Sequence, residues 1–180
     1  DGIIGQTFWP VLGWTFVWAI FATFLNYIFG MLLAIIINRK GTRFKGMWRT
    51  FFVLTIAIPQ FVSLLLMHQM LDESGPLNGT LINLGLIDEP ILFLSSKTLA
   101  RITVIVINLW VGMPYTMLTT TGILQNIPSD LYESAKVDGA NAVTIFWKIT
   151  LPYMLFVTTP KLITDFVGNI NNFNVIFFLS

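Results

Sequence analysis

Mainly apolar stretches alternate with polar intervals along the chain. Four such stretches occur, and each holds the roughly 20 helical residues that cross a bilayer core. They run from Phe8 to Ile37, from Thr50 to Leu71, from Ile102 to Leu124, and from Leu151 to the end. The pattern predicts membrane-spanning helices over about residues 9–37, 50–71, 101–124 and 152–178. Pro59 is expected to bend the second of them.

The composition favours lipid over water as the solvent. Of the 180 residues, 55% are hydrophobic and 11% are charged, and the mean hydropathy is +0.76. A soluble domain carries about a quarter charged residues, so this chain lacks the polar side chains to cover a soluble bundle. The stretches also lack the alternation of β-barrel strands. We therefore expect an all-α integral membrane protein, with residues 1–180 forming part of one transmembrane domain of at least four transmembrane helices.

The residue inventory removes several kinds of chemistry. The chain has no cysteine and a single histidine, His68, so disulfides and thiolate metal sites are excluded and no metal cluster is expected. The net charge of +1 says nothing by itself about nucleic acid, and neither a nucleic-acid partner nor a cofactor is predicted. The sequence begins at Asp1 without a Met and stops inside an apolar stretch, so we expect a piece of a longer chain.

Basic residues predict the orientation, because short loops rich in Lys and Arg stay in the cytoplasm. The interval 38–49 holds five of the ten basic residues and no acid. The interval Asp72–Lys97 holds four acids and one base. The first interval is therefore predicted to be cytoplasmic and the N-terminal end to lie outside. The interval Gln125–Lys148 then lies in the cytoplasm as well.

This second cytoplasmic interval carries the signals of a short, isolated helix. Ser129 or Asp130 fits the N-cap position, and Asp130 with Glu133 resembles a capping box. Gly139 fits a helix end that needs a positive φ. The predicted helix covers about residues 129–139, and it is too short to be stable alone in water, so it needs a surface to pack against.

The same interval resembles a known motif. Glu133-Ser134-Ala135 is followed after three residues by Gly139, and after nine more by Ile149, with Leu151-Pro152 close behind. This spacing matches the EAA motif of ABC importer permeases, with Ser134 in place of an Ala. Over essentially its whole length the chain resembles the binding-protein-dependent sugar permeases, in particular the larger permease subunit of maltose and maltodextrin importers.

The resemblance implies a function and a set of partners. In that family the EAA helix is the coupling helix, which docks into a groove of an ATPase subunit. The chain is then expected to be a transmembrane subunit of an ATP-driven importer in the bacterial cytoplasmic membrane, taking up a maltose- or maltodextrin-like oligosaccharide. The expected partners are a second homologous permease subunit, two cytoplasmic ATP-binding subunits, an extracytoplasmic sugar-binding protein, the sugar and membrane lipid. The expected coupling residues are Glu133, Ser134, Ala135, Asp138, Gly139 and Ala140.

Polar side chains inside the predicted spans indicate a binding site, since polar groups at bilayer depth are costly. Asp165, Asn169 and Asn172 follow i, i+4, i+7 spacing and share one helix face. Amides and carboxylates pair with sugar hydroxyls, and an aromatic ring gives a sugar a surface to stack on. The resemblance implies a sugar site on the two helices that flank the EAA interval. Its positions in this sequence are Asn108, Gly112, Tyr115, Asp165, Gly168, Asn169 and Asn172.

Two of these positions depart from the maltose pattern. Asp165 stands where a Ser is typical, and Gly168 stands where an aromatic residue is typical, so the identity of the sugar stays open. Lys161 lies four residues before Asp165, and pairing of the two charges would withdraw Asp165 from the sugar. Asn side chains also join helices through interhelical hydrogen bonds, which is the preferred interpretation for Asn171 and Asn174.

Two other classes of function are compatible with a polytopic membrane protein. An ion-gradient-driven secondary transporter would use Asp165, Lys161 or His68 as its ion-coupled group. An intramembrane enzyme would need paired acids, a nucleophile with its base, or a metal site, and the spans offer none of these sets. The chain has no Walker A pattern, so ATP hydrolysis is expected on a partner subunit and not here. The EAA spacing argues against both alternatives.

Overall fold

The computed structural model describes residues 2–172, 174, 175 and 179, and within them it contains helices and loops but no strand. A π-helical turn at Phe146–Thr150 joins the last two helices. The helices are α1 (Gly2–Asn38), α2 (Lys45–Ala57), α3 (Gln60–Leu71), α4 (Pro76–Asn83), α5 (Lys97–Gln125), α6 (Ser129–Val137), α7 (Ala142–Ile145) and α8 (Leu151–Ile170). The all-α membrane architecture predicted from the sequence is confirmed.

Three helical stretches are long and apolar enough to cross a membrane, namely Phe8–Asn38, Lys97–Gln125 and Ala142–Ile170. The last of them starts about ten residues before the position expected from the sequence. The Asn141 side chain caps it by accepting a hydrogen bond from Thr144 N at 2.8 Å, and the helix then continues through the π-helical turn. The predicted end of this span at residue 178 lies outside the described residues.

The second predicted span is two helices and not one. The axis of Lys45–Ala57 differs by 88° from that of the helical stretch Gln60–Asn83. Ile58, which precedes Pro59, is extended with φ −78° and ψ 125°. The proline ring disfavours helical backbone in the residue before it and lacks the N–H for the helical ladder, so the helix ends there. Pro59 therefore breaks the span, where only a bend was predicted.

Small residues let α1 and α5 approach each other closely. A Cβ on Gly30 of α1 would lie 2.6 Å from Thr116 Cβ of α5, a distance that real side chains do not adopt. Thr120 Oγ1 donates to the Gly30 carbonyl at 3.4 Å at the same crossing. Small residues at helix crossings are typical of membrane bundles, because lipid gives helices no hydrophobic reason to associate and close packing supplies the attraction.

One side of this bundle is held by an amide at the end of α1. Asn38 Nδ2 donates to Thr121 Oγ1 of α5 at 3.1 Å, and Asn38 Oδ1 accepts from Arg49 Nη2 of α2. Lys45 Nζ donates to the Asn38 carbonyl at 3.1 Å. The basic interval 38–49 is thereby fixed to the end of α5 as well as to α1.

A second amide organises the acidic interval between α3 and α5. Asn78 is fully buried, and its Nδ2 donates to the carbonyls of Asp72 and Ile91 at 3.2 and 3.0 Å. Its Oδ1 accepts from Ile91 N at 2.9 Å. Asn78 lies inside α4, whose first position is Pro76.

Candidate functional site

A cavity of about 380 Å³ lies between α1, α5 and α8, with one residue contributed by α3. All seven residues that the sequence analysis selected as binding residues line it. They are Asn108, Gly112 and Tyr115 on α5, Asp165, Gly168 and Asn169 on α8, and Asn172 just beyond α8. Its wall is rich in amides and hydroxyls, so the cavity offers many hydrogen-bond partners to a polar ligand.

Asn169 is held in place from two sides. Its Nδ2 donates to Thr23 Oγ1 of α1 at 3.1 Å, and its backbone carbonyl accepts from Trp18 Nε1 of α1 at 3.0 Å. Asn172 Nδ2 donates to Asn169 Oδ1 at 3.4 Å. Trp18 is buried, so the contact between α1 and α8 orients the amide pair Asn169 and Asn172 before any ligand enters.

Two opposite charges lie together in the cavity wall. Lys161 Nζ pairs with Asp165 Oδ2 one helical turn away, which is the pairing that the sequence left open. The ammonium also lies 5.5 Å from the centre of the Tyr115 ring of α5, within cation–π range. Tyr115 is exposed and its side chain lines the cavity. The pair keeps this part of the wall polar without a net charge.

On the opposite side, Gly112 makes room for an amide from α1. A Cβ on Gly112 would lie 2.7 Å from Asn26 Nδ2 and 2.8 Å from Asn26 Oδ1. Asn26 Nδ2 donates to the Ala22 carbonyl at 2.9 Å and, at the longer distance of 3.5 Å, to the Asn108 carbonyl. A residue larger than glycine at position 112 would therefore displace Asn26 from the cavity wall.

Gly168 leaves its part of the cavity open. No atom lies within 4 Å of the position that a Cβ would occupy there. A side chain at this position would therefore extend into open space.

The contribution of α1 to the cavity wall was not predicted from the sequence. Thr23, Asn26 and Tyr27 line the cavity, and Tyr27 OH accepts from Thr158 Oγ1 of α8 at 2.8 Å. The missed signal was the spacing of these residues, since positions i, i+3 and i+4 share one helix face within an otherwise apolar span. Gln60 was also missed, and it joins the wall because the break at Pro59 places the start of α3 beside the cavity.

The predicted coupling residues form a separate, exposed feature. Helix α6 ends in a Schellman motif, in which Ala140 N donates to the Ala135 carbonyl at 2.9 Å and Gly139 N donates to the Lys136 carbonyl at 3.0 Å. Gly139 has φ +79°, so the positive φ expected there is confirmed. Glu133, Ser134, Asp138 and Gly139 are exposed, whereas Ala135 and Ala140 are partly buried.

The start of α6 differs from the expected capping box. Pro128 occupies the N-cap position, and no side chain makes a capping hydrogen bond. Ser129 Oγ contacts Asp130 Oδ1 at 3.4 Å and does not reach the helix backbone. With Pro128 at the N-cap, the side-chain-to-backbone hydrogen bonds of the capping box expected for Asp130 and Glu133 do not form.

Asn171 does not join helices, although that role was expected for it from the sequence. Its Nδ2 donates to the carbonyl of Val167 in the same helix at 3.3 Å, and the side chain is exposed. On α8 it is the Asn169 amide that reaches another helix, through Thr23 of α1.

The described residues form an all-helical bundle whose spans of membrane length surround a polar cavity. This is the architecture of a polytopic membrane transport protein. Residues 26–180 match the model of the family "Binding-protein-dependent transport system inner membrane component", and the chain belongs to that family.

Named relatives support this assignment. The chain is 40% identical over 173 residues to the galactooligosaccharides transport system permease protein GanP of Bacillus subtilis (strain 168), covering 96% of this chain and 41% of that protein. It is 36% identical over 182 residues to the maltodextrin transport system permease protein MdxF of the same organism, covering 98% and 42%. It is 37% identical over 177 residues to the maltose/maltodextrin transport system permease protein MalF of Escherichia coli (strain K12), covering 98% and 34%. The chain thus spans about two fifths of the length of these relatives, or less.

The fold also matches a solved structure. The chain superposes on a subunit of "a bacterial ABC transporter involved in the import of the acidic polysaccharide alginate" with a TM-score of 0.67. The match covers 93% of this chain and 68% of the other, at 23% sequence identity. At this identity the likeness identifies the fold of an importer permease.

Proposed function

We propose that this chain forms part of the transmembrane pathway of an ATP-driven importer and that a sugar passes through the cavity between α1, α5 and α8. The observation that carries the proposal is that one cavity gathers all seven residues selected from the sequence. Its volume of about 380 Å³ falls in the range of small-molecule sites, roughly 300–1,000 Å³.

The chemistry of the wall suits a neutral oligosaccharide. Asn108, Asn169 and Asn172 offer donors and acceptors to hydroxyl groups, and the Tyr115 ring offers a stacking surface. The substrate we propose is a maltodextrin-like oligosaccharide, with a galactooligosaccharide as the alternative that the names of the relatives suggest. The open space at Gly168 admits a sugar ring whose position differs from that in the maltose pattern.

The energy for transport is proposed to enter through α6. Glu133 offers a charge to a basic residue of an ATPase subunit, and the small side chains of Ser134 and Ala135 permit close approach. Gly139 turns the chain without a side chain in the way, as its positive φ requires. Asp138 and Ala140 flank this turn and complete the proposed docking surface.

The remaining parts of the importer are proposed from the family. They are a second homologous permease subunit, two cytoplasmic ATP-binding subunits and an extracytoplasmic sugar-binding protein, in the cytoplasmic membrane of a bacterium. The N-terminal end of the chain is placed outside, because the interval 38–49 carries five basic residues. The acidic interval Asp72–Lys97 then faces the sugar-binding protein.

The competing function is uptake driven by an ion gradient. The Lys161–Asp165 pair in the cavity wall is the observation that favours it, since paired ionisable residues within a span are typical of proton-coupled transporters. This function requires no ATPase subunit, and it gives the exposed helix α6 no role.

The deciding experiment is sugar-stimulated ATP hydrolysis and sugar uptake by the full complex in liposomes with its binding protein. Maltotriose, galactobiose and an alginate disaccharide are compared as substrates. Wild type is compared with Gly139→Asp and Asn169→Ala. We expect Gly139→Asp to abolish stimulation, and Asn169→Ala to change which sugars are taken up and at what rate while coupling persists.

Either of two results contradicts the proposal. If Gly139→Asp leaves stimulation intact, α6 is not the coupling element. If uptake proceeds without the ATPase subunits and collapses when the proton gradient is removed, the gradient-driven function replaces the importer.

A further inference from the structure

The α1 residue Asn26 belongs to the cavity but to none of the binding positions selected from the sequence. We propose that Asn26 is a specificity-determining residue that binds one sugar hydroxyl together with Asn108. This inference rests on the proposed function, since it names a further contact within the same cavity. The carrying observation is a pair of unpartnered hydrogen-bonding atoms in its wall.

The two atoms are complementary in kind. Asn26 Oδ1 is an acceptor and Asn108 Nδ2 is a donor, and each is buried without a hydrogen-bond partner among the described residues. A buried polar group without a partner costs about as much as a lost hydrogen bond, so such groups are rare in native proteins and call for an explanation. Of the buried side-chain atoms left unpartnered in the described part of the chain, these two share one cavity.

A hydroxyl group fits this pair because it donates one hydrogen bond and accepts others. The sugar O–H would donate to Asn26 Oδ1, and its oxygen would accept from Asn108 Nδ2. Both atoms are shielded from solvent in the empty cavity, so each amide must turn toward the cavity as the sugar enters. Turning the Asn26 amide breaks its long hydrogen bond to the Asn108 carbonyl, at 3.5 Å, and its 2.9 Å hydrogen bond to the Ala22 carbonyl, and the bonds to the sugar offset this loss.

Gly112 supplies an independent reason to assign Asn26 to the site. A Cβ at this position would overlap the Asn26 amide, at 2.7 Å from Nδ2 and 2.8 Å from Oδ1. The resemblance to sugar permeases places Gly112 in the site, yet a glycine has no side chain with which to bind a sugar. The structure gives it a purpose, because the missing side chain admits the Asn26 amide to the cavity wall.

The simpler explanation is that Asn26 only joins α1 to α5. It accounts for the bond to the Asn108 carbonyl, but it leaves Asn26 Oδ1 and Asn108 Nδ2 unused. The two explanations differ in a measurable way. If Asn26 has only a structural role, its replacement slows the uptake of all sugars equally. If it binds the sugar, its replacement removes the preference for one hydroxyl group.

The test uses the reconstituted complex and the disaccharide that supports uptake, maltose or galactobiose, with its monodeoxy analogues. Uptake is measured with saturating sugar-loaded binding protein, and each analogue is expressed as a ratio to the parent sugar. The binding protein is the same throughout, so its own preference cancels when the ratio for a variant is divided by that for wild type. We expect one analogue to be taken up about three- to tenfold more slowly by wild type, the factor that one neutral hydrogen bond gives.

Asn26→Leu is expected to remove the penalty for that analogue alone. Gly112→Ala is expected to remove the same penalty by displacing the Asn26 amide, and the double variant to lose no more than either single one. The matched controls keep the wild-type ratios. Asn171→Leu removes an amide with the same bond to the carbonyl four residues earlier, and Gly122→Ala adds a methyl group to α5 where nothing lies within 4 Å.

The proposal fails if Asn26→Leu slows every sugar by one common factor, or if the penalties in wild type persist in both variants. Should Asn26→Leu not assemble with its partners, Asn26→Ser and Gly112→Ala carry the same comparison. Failure of the proposed function is a different result, because then no sugar is taken up with ATP or Asn169→Ala leaves uptake unchanged. The inference about Asn26 can therefore fail while the importer stands.

Discussion

Tyr132 on α6 and Thr150 in the π-helical turn are joined by a hydrogen bond with 3.2 Å between their side-chain oxygens. Among the described residues it is the one side-chain hydrogen bond from α6 to another element. Thr150 is buried, and the helix that follows it carries Asp165 and Asn169 to the cavity. The hydrogen bond therefore joins α6 to the helix that lines the cavity through a turn of π-helix, a feature often found at functional positions.

Removing this hydrogen bond is predicted to weaken coupling without abolishing it. In Tyr132→Phe the ring stays and the hydroxyl is lost, at a cost of about 1 kcal/mol. We expect sugar-stimulated ATP hydrolysis to fall several-fold, while unstimulated hydrolysis and assembly stay at the level of wild type. Tyr153→Phe is the control, because the Tyr153 hydroxyl has no hydrogen bond in the described part of the chain. Equal stimulation in Tyr132→Phe and wild type would remove Tyr132 from the coupling route.

The turn after α6 is predicted to be sensitive to any side chain, even where there is space for one. Gly139 has φ +79° and an unobstructed Cβ position, so Gly139→Ala adds backbone strain of roughly 1–2 kcal/mol and no clash. The strain is expected to unwind the end of α6 and to lower sugar-stimulated ATP hydrolysis several-fold, as measured in liposomes.

The chain contains a matched control for this substitution. Gly85, at φ +68°, also follows a helix end and has nothing near its Cβ position, so Gly85→Ala adds the same strain at the end of α4. We expect it to lower the thermal midpoint in detergent about as much as Gly139→Ala does and to leave coupling intact. A similar loss of coupling in both variants would mean that the effect is one of general stability.

Periodicity predicted the α8 part of the site, because residues on one helix face can be read from spacing. Asp165, Asn169 and Asn172 share such a face and line the cavity. Asn108 and Tyr115, which also line it, were predicted from the resemblance to sugar permeases and not from spacing. What spacing could not provide is which third helix closes the space. That depends on the close crossing at Gly30, where a missing side chain allows two backbones to approach.

The bounds of the elements were harder to predict where local and longer-range effects compete. Pro59 was expected to bend a span, but the helix ends there. The prediction was wrong because the sequence alone does not distinguish a proline kink within a helix from a helix end. The early start of the last span was hidden in the same way. The polar residues before Leu151 suggested a loop, whereas Asn141 caps a helix that carries them.

The ion pair in the cavity is predicted to matter as a pair and not as two separate charges. Lys161→Met leaves Asp165 unpaired, and Asp165→Asn leaves Lys161 unpaired, in a wall surrounded by apolar helices. Because the side chains are 30% and 39% exposed, we expect each loss to cost about 1–2 kcal/mol, less than for a fully buried pair. Each single variant should slow sugar uptake several-fold, and the double variant should recover most of it.

A double-mutant cycle of uptake rates distinguishes this prediction from direct sugar binding by Asp165. If Asp165 contacts the sugar, Asp165→Asn and the double variant lose the same amount and no recovery occurs. If the ion-gradient function holds, both variants lose their dependence on pH as well. Recovery in the double variant at unchanged pH dependence is the result expected for a structural pair.

Asn78 is predicted to control the order of the acidic interval Asp72–Lys97. Asn78→Ala removes the amide and leaves Ile91 N and two carbonyls without their partner, which costs about 2–3 kcal/mol locally. The Ile91 amide should then exchange its hydrogen about 30- to 150-fold faster, as measured by deuterium uptake in detergent. Asn83→Ala, at an exposed position of the same helix, should leave exchange unchanged. Equal protection of Ile91 in all three proteins would show that the interval is held by other contacts.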